Sequence, residues 1–137
     1  IHDIAFVHKY AKTRFIIAVN VIEAGCRADA LCHVVNALAL TLMLARVEMR
    51  YFPVAAACFV DDSERLYSEE EAAAHDGSLT HVYLCKKLSN DDEVVSFSIA
   101  GGHINDARID RVLSYLCGAA NAVGRKMLEF AHALATN

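Results

Sequence analysis

The stretch VIEAGCRADALC, residues 21–32, carries the most structural information in this chain. An apolar, largely β-branched run, FIIAVNVI at 15–22, leads into it, and a run rich in Ala and Leu follows it. Between the two lie Gly25, Cys26 and Arg27. A glycine turn between a strand and the N-terminus of a helix often holds a phosphate, because free backbone N–H groups point at the ligand. The pattern therefore makes this turn a candidate phosphate site.

The length and composition indicate one apolar domain. A chain of 137 residues is the size of a single domain, which we expect to span 1–137. Apolar residues make up 55% of it, which predicts a surface buried against a partner as well as a core. The net charge of −4 argues against nucleic-acid binding by bulk electrostatics. No apolar run reaches the roughly 20 residues of a membrane span, so we expect no membrane segment.

The cysteines indicate reduced thiols rather than a disulfide framework. Their number is odd, their surroundings are apolar, and none of them forms a C-x-x-C pair. We therefore predict no metal site and no cofactor. The five are Cys26, Cys32, Cys58, Cys85 and Cys117.

Hydrophobic periodicity predicts an α+β fold with three helices and five strands. We expect a mixed sheet, helices packed on one face of it, and a four-strand meander before the last helix. The predicted helices are 1–11, 29–46 and one capped by Asn105 or Asp106, and the predicted strands are 14–23, 54–60, 65–67, 79–84 and 94–99.

Two of the predicted helices supply the core. Helix 29–46 is apolar on nearly every side, so we expect it to be deeply buried. The last helix has one apolar face with a period of 3.6 residues. That face comprises Ile109, Val112, Leu113, Leu116, Ala120, Val123, Met127 and Ala131.

The chain resembles the C-terminal portion of RNase PH-fold proteins, which share the ribosomal protein S5 domain 2-like fold. Members of that family have a strand that runs into an acidic-Gly-Gly-small-Arg turn, which here reads Glu23-Ala24-Gly25-Cys26-Arg27. A buried Ala-rich helix, a strand of small residues, an acidic turn at 61–62, an acidic run and a Gly101-Gly102 turn follow in the family's order. The resemblance covers most of the chain and implies that the family's N-terminal strands are absent from this sequence.

The resemblance implies a weakened phosphate site. In phosphorolytic members a Gly-Gly-Ser/Thr-Arg turn binds the attacking phosphate. This chain keeps Gly25 and Arg27 but has Ala24 for the first glycine and Cys26 for the hydroxyl residue. Since a thiol is a weak donor, the phosphate would lose a good hydrogen bond. Gly25, Cys26 and Arg27 remain candidates for phosphate or RNA binding.

The resemblance also implies that the catalytic carboxylate is missing. Active members place an Asp shortly after the strand, where it acts as general acid and helps hold a divalent metal. Here Leu66 is followed by Tyr67, which cannot act as a carboxylate ligand. The next acids, Glu69, Glu70 and Glu71, are either displaced ligands or a solvated acidic loop. We therefore expect no catalytic residue and favour a protein that is not an enzyme.

Two residues of the turn region have competing interpretations. Arg27 is either a contact to phosphate or RNA, or an arginine paired with Glu23 or Asp29. Cys26 would act as a nucleophile only with a base nearby and a lowered pKa. The nearest histidine in sequence, His33, is better interpreted as a packed helix residue.

The last helix carries a basic concentration near its start. Arg108 and Arg111 are three residues apart and share a helix face. They are either contacts to RNA or a partner protein, or part of a solvated face.

By resemblance, the chain is expected to be a non-catalytic ring subunit of the eukaryotic RNA exosome. Its partners would then be other RNase PH-like ring subunits and S1- or KH-type cap proteins, with single-stranded RNA threaded through the complex. The implied role is 3′-to-5′ RNA and rRNA processing and decay in nucleus, nucleolus and cytoplasm. Two alternatives stay open, an active phosphate-dependent 3′-to-5′ exoribonuclease and a stand-alone α+β interaction module.

Overall fold

A computed structural model describes residues 4–23, 25–89 and 91–136. Most of the predicted elements lie within a few residues of their expected bounds, and Asn105 caps the last helix by accepting a hydrogen bond from the Ala107 N–H at 3.2 Å. The elements in chain order are a 3-10 helix at Val7–Tyr10, α1 at Arg27–Leu44, β1 at Pro53–Val60, β2 at Leu66–Tyr67, α2 at Glu69–Ala73, β3 at Thr80–Lys87, β4 at Val94–Ala100 and α3 at Asp106–Thr136.

The four strands form a sheet in the order β2-β1-β3-β4. β1 and β3 pair along their full length, from Pro53 opposite Lys87 to Val60 opposite Thr80. The predicted meander is wrong, because β2 pairs with only the last two residues of β1 and the chain then returns through α2 to the other side of β1. The predicted mixed sheet is also wrong, since every strand pair in the described residues is antiparallel.

The two long helices bury their side chains against opposite faces of the sheet. Val54, Ala56 and Cys58 of β1 belong to the cluster that contains α3. Ala55, on the other face of β1, belongs to the cluster that contains Ala28 and Cys32 of α1. The prediction that the helices share one face is therefore wrong. The small, apolar side chains on both faces of β1 allow a helix to approach closely from either side.

Asn36 of α1 fixes that helix to the open edge of β1. Its side-chain Nδ2 donates to the Ala55 carbonyl at 3.0 Å, and its Oδ1 accepts from the Ala55 N–H at 2.8 Å. Because β2 covers only the far end of β1, the amide takes the place that a neighbouring strand would have at Ala55. It satisfies two backbone groups whose loss of partners would be costly.

The predicted N-terminal helix is wrong for residues 4–11, and residues 1–3 lie outside the described part. Ala5 pairs with Met49 in an isolated antiparallel bridge. The Phe6 N–H donates to the Glu48 carbonyl at 3.1 Å, which draws this backbone away from a helical pattern. Only the single 3-10 turn at Val7–Tyr10 remains of the predicted helix.

The predicted strand 14–23 is wrong as well, since residues 4–23 contain no strand. β-branched residues favour a strand only where a neighbouring strand is available, and at Ala55 the edge of β1 is occupied by Asn36. Residues 15–23 instead lie along the outer face of α1, with a groove of about 880 Å³ between them.

The prediction that α1 is deeply buried is only partly right. Five of its 18 residues are buried, and its outer face lines the groove. Within the described residues, α1 is the one helix long and apolar enough to cross a membrane by length and composition. That is weak evidence, because a helix that packs on a sheet passes the same test. The buried residues of α1 are Ala28, Asp29, Cys32, Ala39 and Leu42.

A fully buried lysine ties the β3–β4 connection to α3. The Lys86 ammonium lies 2.7 Å from the Asp92 carboxylate and 3.0 Å from the Asn121 side-chain oxygen. A buried charge is tolerated only when it is paired and hydrogen-bonded. The three side chains therefore hold the hairpin connection and the middle of α3 in one arrangement.

Candidate functional site

The glycine turn ends in a cysteine that caps α1. Cys26 is the N-cap residue, with an extended backbone at φ −152° and ψ 176°. Its Sγ accepts a hydrogen bond from the Asp29 N–H at 3.5 Å, and its thiol lies 3.2 Å from the Asp29 carboxylate, to which it donates. This reciprocal pair resembles a capping box in which Cys replaces the usual Ser or Thr. The sequence prediction of a helix N-terminus at this turn is confirmed.

The carboxylate of Asp29 lies directly against the turn. Asp29 is 4% exposed, and a Cβ added at Gly25 would come within 3.1 Å of its Oδ2 atom. An acidic side chain in the first turn interacts favourably with the partial positive charge of the helix N-terminus. The protein's own carboxylate therefore already lies at the helix N-terminus, where an anion would bind.

A phosphate at this turn would meet charges of both signs. Two unit charges 4 Å apart interact by about 4 kcal/mol at an effective dielectric constant of about 20, whether they attract or repel. On that scale the repulsion from Asp29 offsets an attraction of similar size from Arg27. The helix N-terminus would then supply only about 0.3–1 kcal/mol.

Arg27 extends into solvent at the start of α1. Its side chain makes no ion pair or hydrogen bond within the part of the chain that the structure describes. The alternative in which it pairs with Glu23 or Asp29 is therefore wrong, and Asp29 instead accepts from Cys26. Arg27 keeps a guanidinium that is available to a ligand or partner.

The structure does not support Cys26 as a nucleophile. Burial raises the pKa of its thiol above the ordinary value of 9.0, and the carboxylate of Asp29 adds to that increase. His33 does not act on it, because the His33 Nε2 lies 3.5 Å from the Glu69 carboxylate of α2. His33 is also exposed, so its interpretation as a packed helix residue is wrong.

Tyr67, at the position expected for the catalytic carboxylate, is held by another acid. Its hydroxyl donates to Asp61 Oδ2 at 2.7 Å, which raises the pKa of Tyr67. The other oxygen of Asp61 accepts from the Arg65 N–H at 2.9 Å. These two hydrogen bonds, with the backbone one the larger cause, lower the pKa of Asp61 below 3.8. Both carboxylate oxygens are therefore engaged in the turn between β1 and β2.

The acidic run after Tyr67 is solvated, as one of the two interpretations expected, but it lies in a helix rather than in a loop. Glu69, Glu70 and Glu71 form the first turn of α2, where negative charge is favourable. Ser68 and Glu71 form a complete capping box. The described residues contain no group of three or more His, Cys, Asp or Glu side chains that could hold a metal. The run thus has a structural explanation that requires no displaced metal ligands.

Arg108 and Arg111 have different surroundings. Arg108 forms an ion pair with Glu64, whose backbone has a positive φ of 62°. Arg111 is exposed. The carboxylates of the 61–64 turn line a polar pocket of about 250 Å³ that also includes Gly101 and Gly102. An acidic pocket beside Arg108 repels a nucleic-acid backbone, so Arg111 is the better candidate for a contact.

Sequence reasoning missed Asp29, the residue that most changes the interpretation of the turn. The signal was present as Cys26-x-x-Asp29 at the start of a helix, which has the spacing of a capping box. This capping signal was hard to recognise because a Cys in the N-cap position also resembles a phosphate-binding turn whose hydroxyl residue has been replaced.

No family model and no curated protein matches the sequence. Among solved structures, the chain is similar to one of the Archaeoglobus fulgidus exosome with RNA bound to the active site. The identity is 22% and the TM-score 0.45, and the match covers 58% of this chain. It covers 31% of that chain, so this sequence spans about a third of its length.

Proposed function

We propose that the chain is a non-catalytic structural subunit of an RNA exosome ring, which supports 3′-to-5′ RNA processing and decay. The observation that carries this proposal is the carboxylate of Asp29 against the turn at Gly25 and Cys26. In an RNase PH-like active site this turn holds the attacking phosphate. A buried carboxylate in its place removes the reaction while it preserves the turn.

Tyr67 supports the same proposal. A tyrosine whose hydroxyl is bound to Asp61 can neither protonate a leaving group readily nor ligate a metal as a carboxylate does. The raised pKa of Tyr67 makes it a poorer acid still. The two positions that matter most for phosphorolysis are thus altered in ways that reinforce each other.

An architectural role requires surfaces for partner subunits, and two are available. β4 lies at one edge of the sheet, with Val94 and Val95 40% and 45% exposed. The end of α3 extends past Gly124, its last buried residue, with Leu128, Phe130 and Leu134 exposed. We propose that other RNase PH-like subunits cover these surfaces in a ring through heterologous contacts. We also propose that S1- or KH-type cap proteins bind the ring and that RNA passes through its pore. We propose that the complex is located in the nucleus, the nucleolus and the cytoplasm.

The proposal is tested by affinity purification of the tagged chain from its native cell, with mass spectrometry and native mass of the complex. We expect several other RNase PH-fold chains, with cap proteins, in stoichiometric amounts. A chain that is recovered alone or only with copies of itself would contradict the proposal and favour a stand-alone α+β interaction module.

One observation favours the second candidate, an active phosphate-dependent exoribonuclease. Arg27 presents an unpaired guanidinium at the N-terminus of α1, as a phosphate-binding arginine would. This candidate predicts that phosphate and Mg²⁺ release nucleoside diphosphates from RNA in the assembled complex. It also predicts that Arg27→Ala abolishes the release.

A further inference from the structure

Residues 14–23 form a strand-like sequence without a strand to pair with. The run FIIAVNVI is composed almost entirely of residues that favour strands. In the described part of the chain, no backbone hydrogen bond involves residues 14–23. Unpaired backbone groups beside apolar side chains are a template for another strand.

The apolar side chains of this segment are largely exposed. Ile16 and Ile22 are 77% and 99% exposed, and Ile17, Val19 and Val21 are 42–58% exposed. Odd- and even-numbered residues of 15–23 alike line the groove along α1. The segment therefore offers a partner strand apolar surface as well as unpaired backbone groups.

The total surface indicates that a large area awaits a partner. The chain exposes 9041 Å², whereas a compact protein of 15.0 kDa exposes about 7,000 Å². The excess of about 2,000 Å² is within the area that each partner buries in an obligate dimer, about 1,000–2,500 Å². Part of the excess belongs to the end of α3 and to the edge of β4, and the groove beside residues 15–23 is a third exposed apolar region of the described residues.

We infer that two copies of this chain associate through antiparallel pairing of residues 14–23 across a two-fold axis. Opposite residues in an antiparallel pair lie on the same face, so a two-fold axis requires their numbers to have an even sum. Centring the pair on Val19 places Ile17 opposite Val21 and Ile16 opposite Ile22. Centring it on Ala18 would place Arg14 opposite Ile22 and Ile16 opposite Asn20.

The Val19-centred register pairs apolar side chains with one another. It gathers the exposed Ile17, Val19 and Val21 of both copies on one face of the pair, and Ile16 and Ile22 on the other face. Residues 15–22 carry no charge, so no like charges meet within that part of the pair.

This surface is separate from β4 and α3, so the inference does not depend on the ring proposal. The test is light scattering of the purified full chain over a concentration series. We expect a dimer, and a monomer that persists up to about 100 μM would overturn the inference.

Val19→Lys places two like charges opposite each other at the axis, so we expect it to raise the dissociation constant at least ten-fold. Val95→Lys, at a comparably exposed valine of β4, should leave it unchanged, and equal effects of the two variants would contradict the inference.

Cysteine cross-linking tests the register in a Cys26→Ser background, where the four other cysteines are buried. Val19→Cys would lie opposite its own copy with Cα atoms about 4.5–5.5 Å apart, a distance that allows a disulfide. Ala18→Cys would lie opposite Asn20, and its two copies would be about 8 Å apart, beyond disulfide reach. We expect a covalent dimer from Val19→Cys alone. Equal cross-linking of both variants, or of neither, would contradict the Val19-centred pair.

Discussion

The contact between Cys26 and Asp29 decides the chemistry of the turn. A thiol in place of a hydroxyl would only weaken a phosphate site, since the N–H groups and Arg27 remain. A carboxylate against the turn does more, because it places a negative charge where the phosphate charge would go. We propose that this one buried acid prevents a phosphate from binding at the turn.

The first prediction concerns Tyr67. We expect that Tyr67→Asp alone does not restore phosphorolysis, because Asp29 still occupies the turn and Cys26 still lacks a strong donor. The measurement is phosphate-dependent release of nucleoside diphosphates from RNA by the complex that contains the variant. Activity in this single variant would show that one carboxylate was the only deficit.

The second prediction concerns the pH dependence of stability at Asp61. Hydrogen bonds from the Arg65 N–H and the Tyr67 hydroxyl lower the pKa of this carboxyl below 3.8 in the folded state. Its contribution to the free energy of unfolding is therefore complete above 3.8 and is lost as the pH falls through the lower, folded-state pKa.

Urea unfolding over the acid range measures this contribution. Asp61→Asn should be less stable than the parent at neutral pH, and the difference should shrink at the most acidic pH. Asp62→Asn, at the exposed neighbouring acid, is the matched control for the substitution itself. A constant difference for Asp61→Asn at every pH would contradict the assignment.

At the scale of elements, Asn36 explains how α1 is held to a sheet edge that lacks a neighbouring strand. We expect Asn36→Ala to lower the free energy of unfolding by about 2 kcal/mol, because it removes two hydrogen bonds and leaves the Ala55 backbone unpaired. Thr41→Ala, on an exposed turn of the same helix, should change it by less than about 0.5 kcal/mol. Equal effects of the two variants in urea unfolding would show that the Asn36 contact is unimportant.

The third helix offers a matched pair of glycines. A Cβ at Gly124 would come within 2.7 Å of a Leu88 methyl and 2.8 Å of a Val54 methyl, so Gly124→Ala should destabilise by about 1–3 kcal/mol. A Cβ at Gly118 meets nothing within 4 Å. Gly118→Ala should therefore stabilise by up to about 1 kcal/mol through helix propensity. Thermal unfolding that shows the same sign for both variants would contradict the packing of α3 on β1.

Helices and strands with a strong hydrophobic periodicity could be predicted from the sequence. A strand that needs a pairing partner far away in the sequence could not. The apolar face of α3 and the small residues of β1 specify their own structures. The run at 15–22 has equal β propensity, but no sequence pattern shows that Asn36 would occupy the edge of β1. At the site, the turn was predictable from Gly25, whereas the role of Asp29 depends on the direction of a side chain.

At the scale of the whole molecule, the exposed surface is the dominant feature. The edge of β4, the end of α3 and the groove along α1 lie on different sides of one sheet. The first two of these surfaces suit a subunit that contacts more than one neighbour, as the proposed ring requires. The net charge of −4 suits a role in which the assembly, rather than this chain alone, attracts RNA.

The most direct test of the non-catalytic role is to compare phosphorolysis by the assembled complex that contains the parent chain with phosphorolysis by the complex that contains Arg27→Ala. RNA, inorganic phosphate and Mg²⁺ are supplied, and nucleoside diphosphates are measured. We expect no phosphate-dependent release attributable to this chain, so the rate with Arg27→Ala should equal the parent rate. Release that disappears with Arg27→Ala would show that the turn binds phosphate despite Asp29, and would contradict the non-catalytic role.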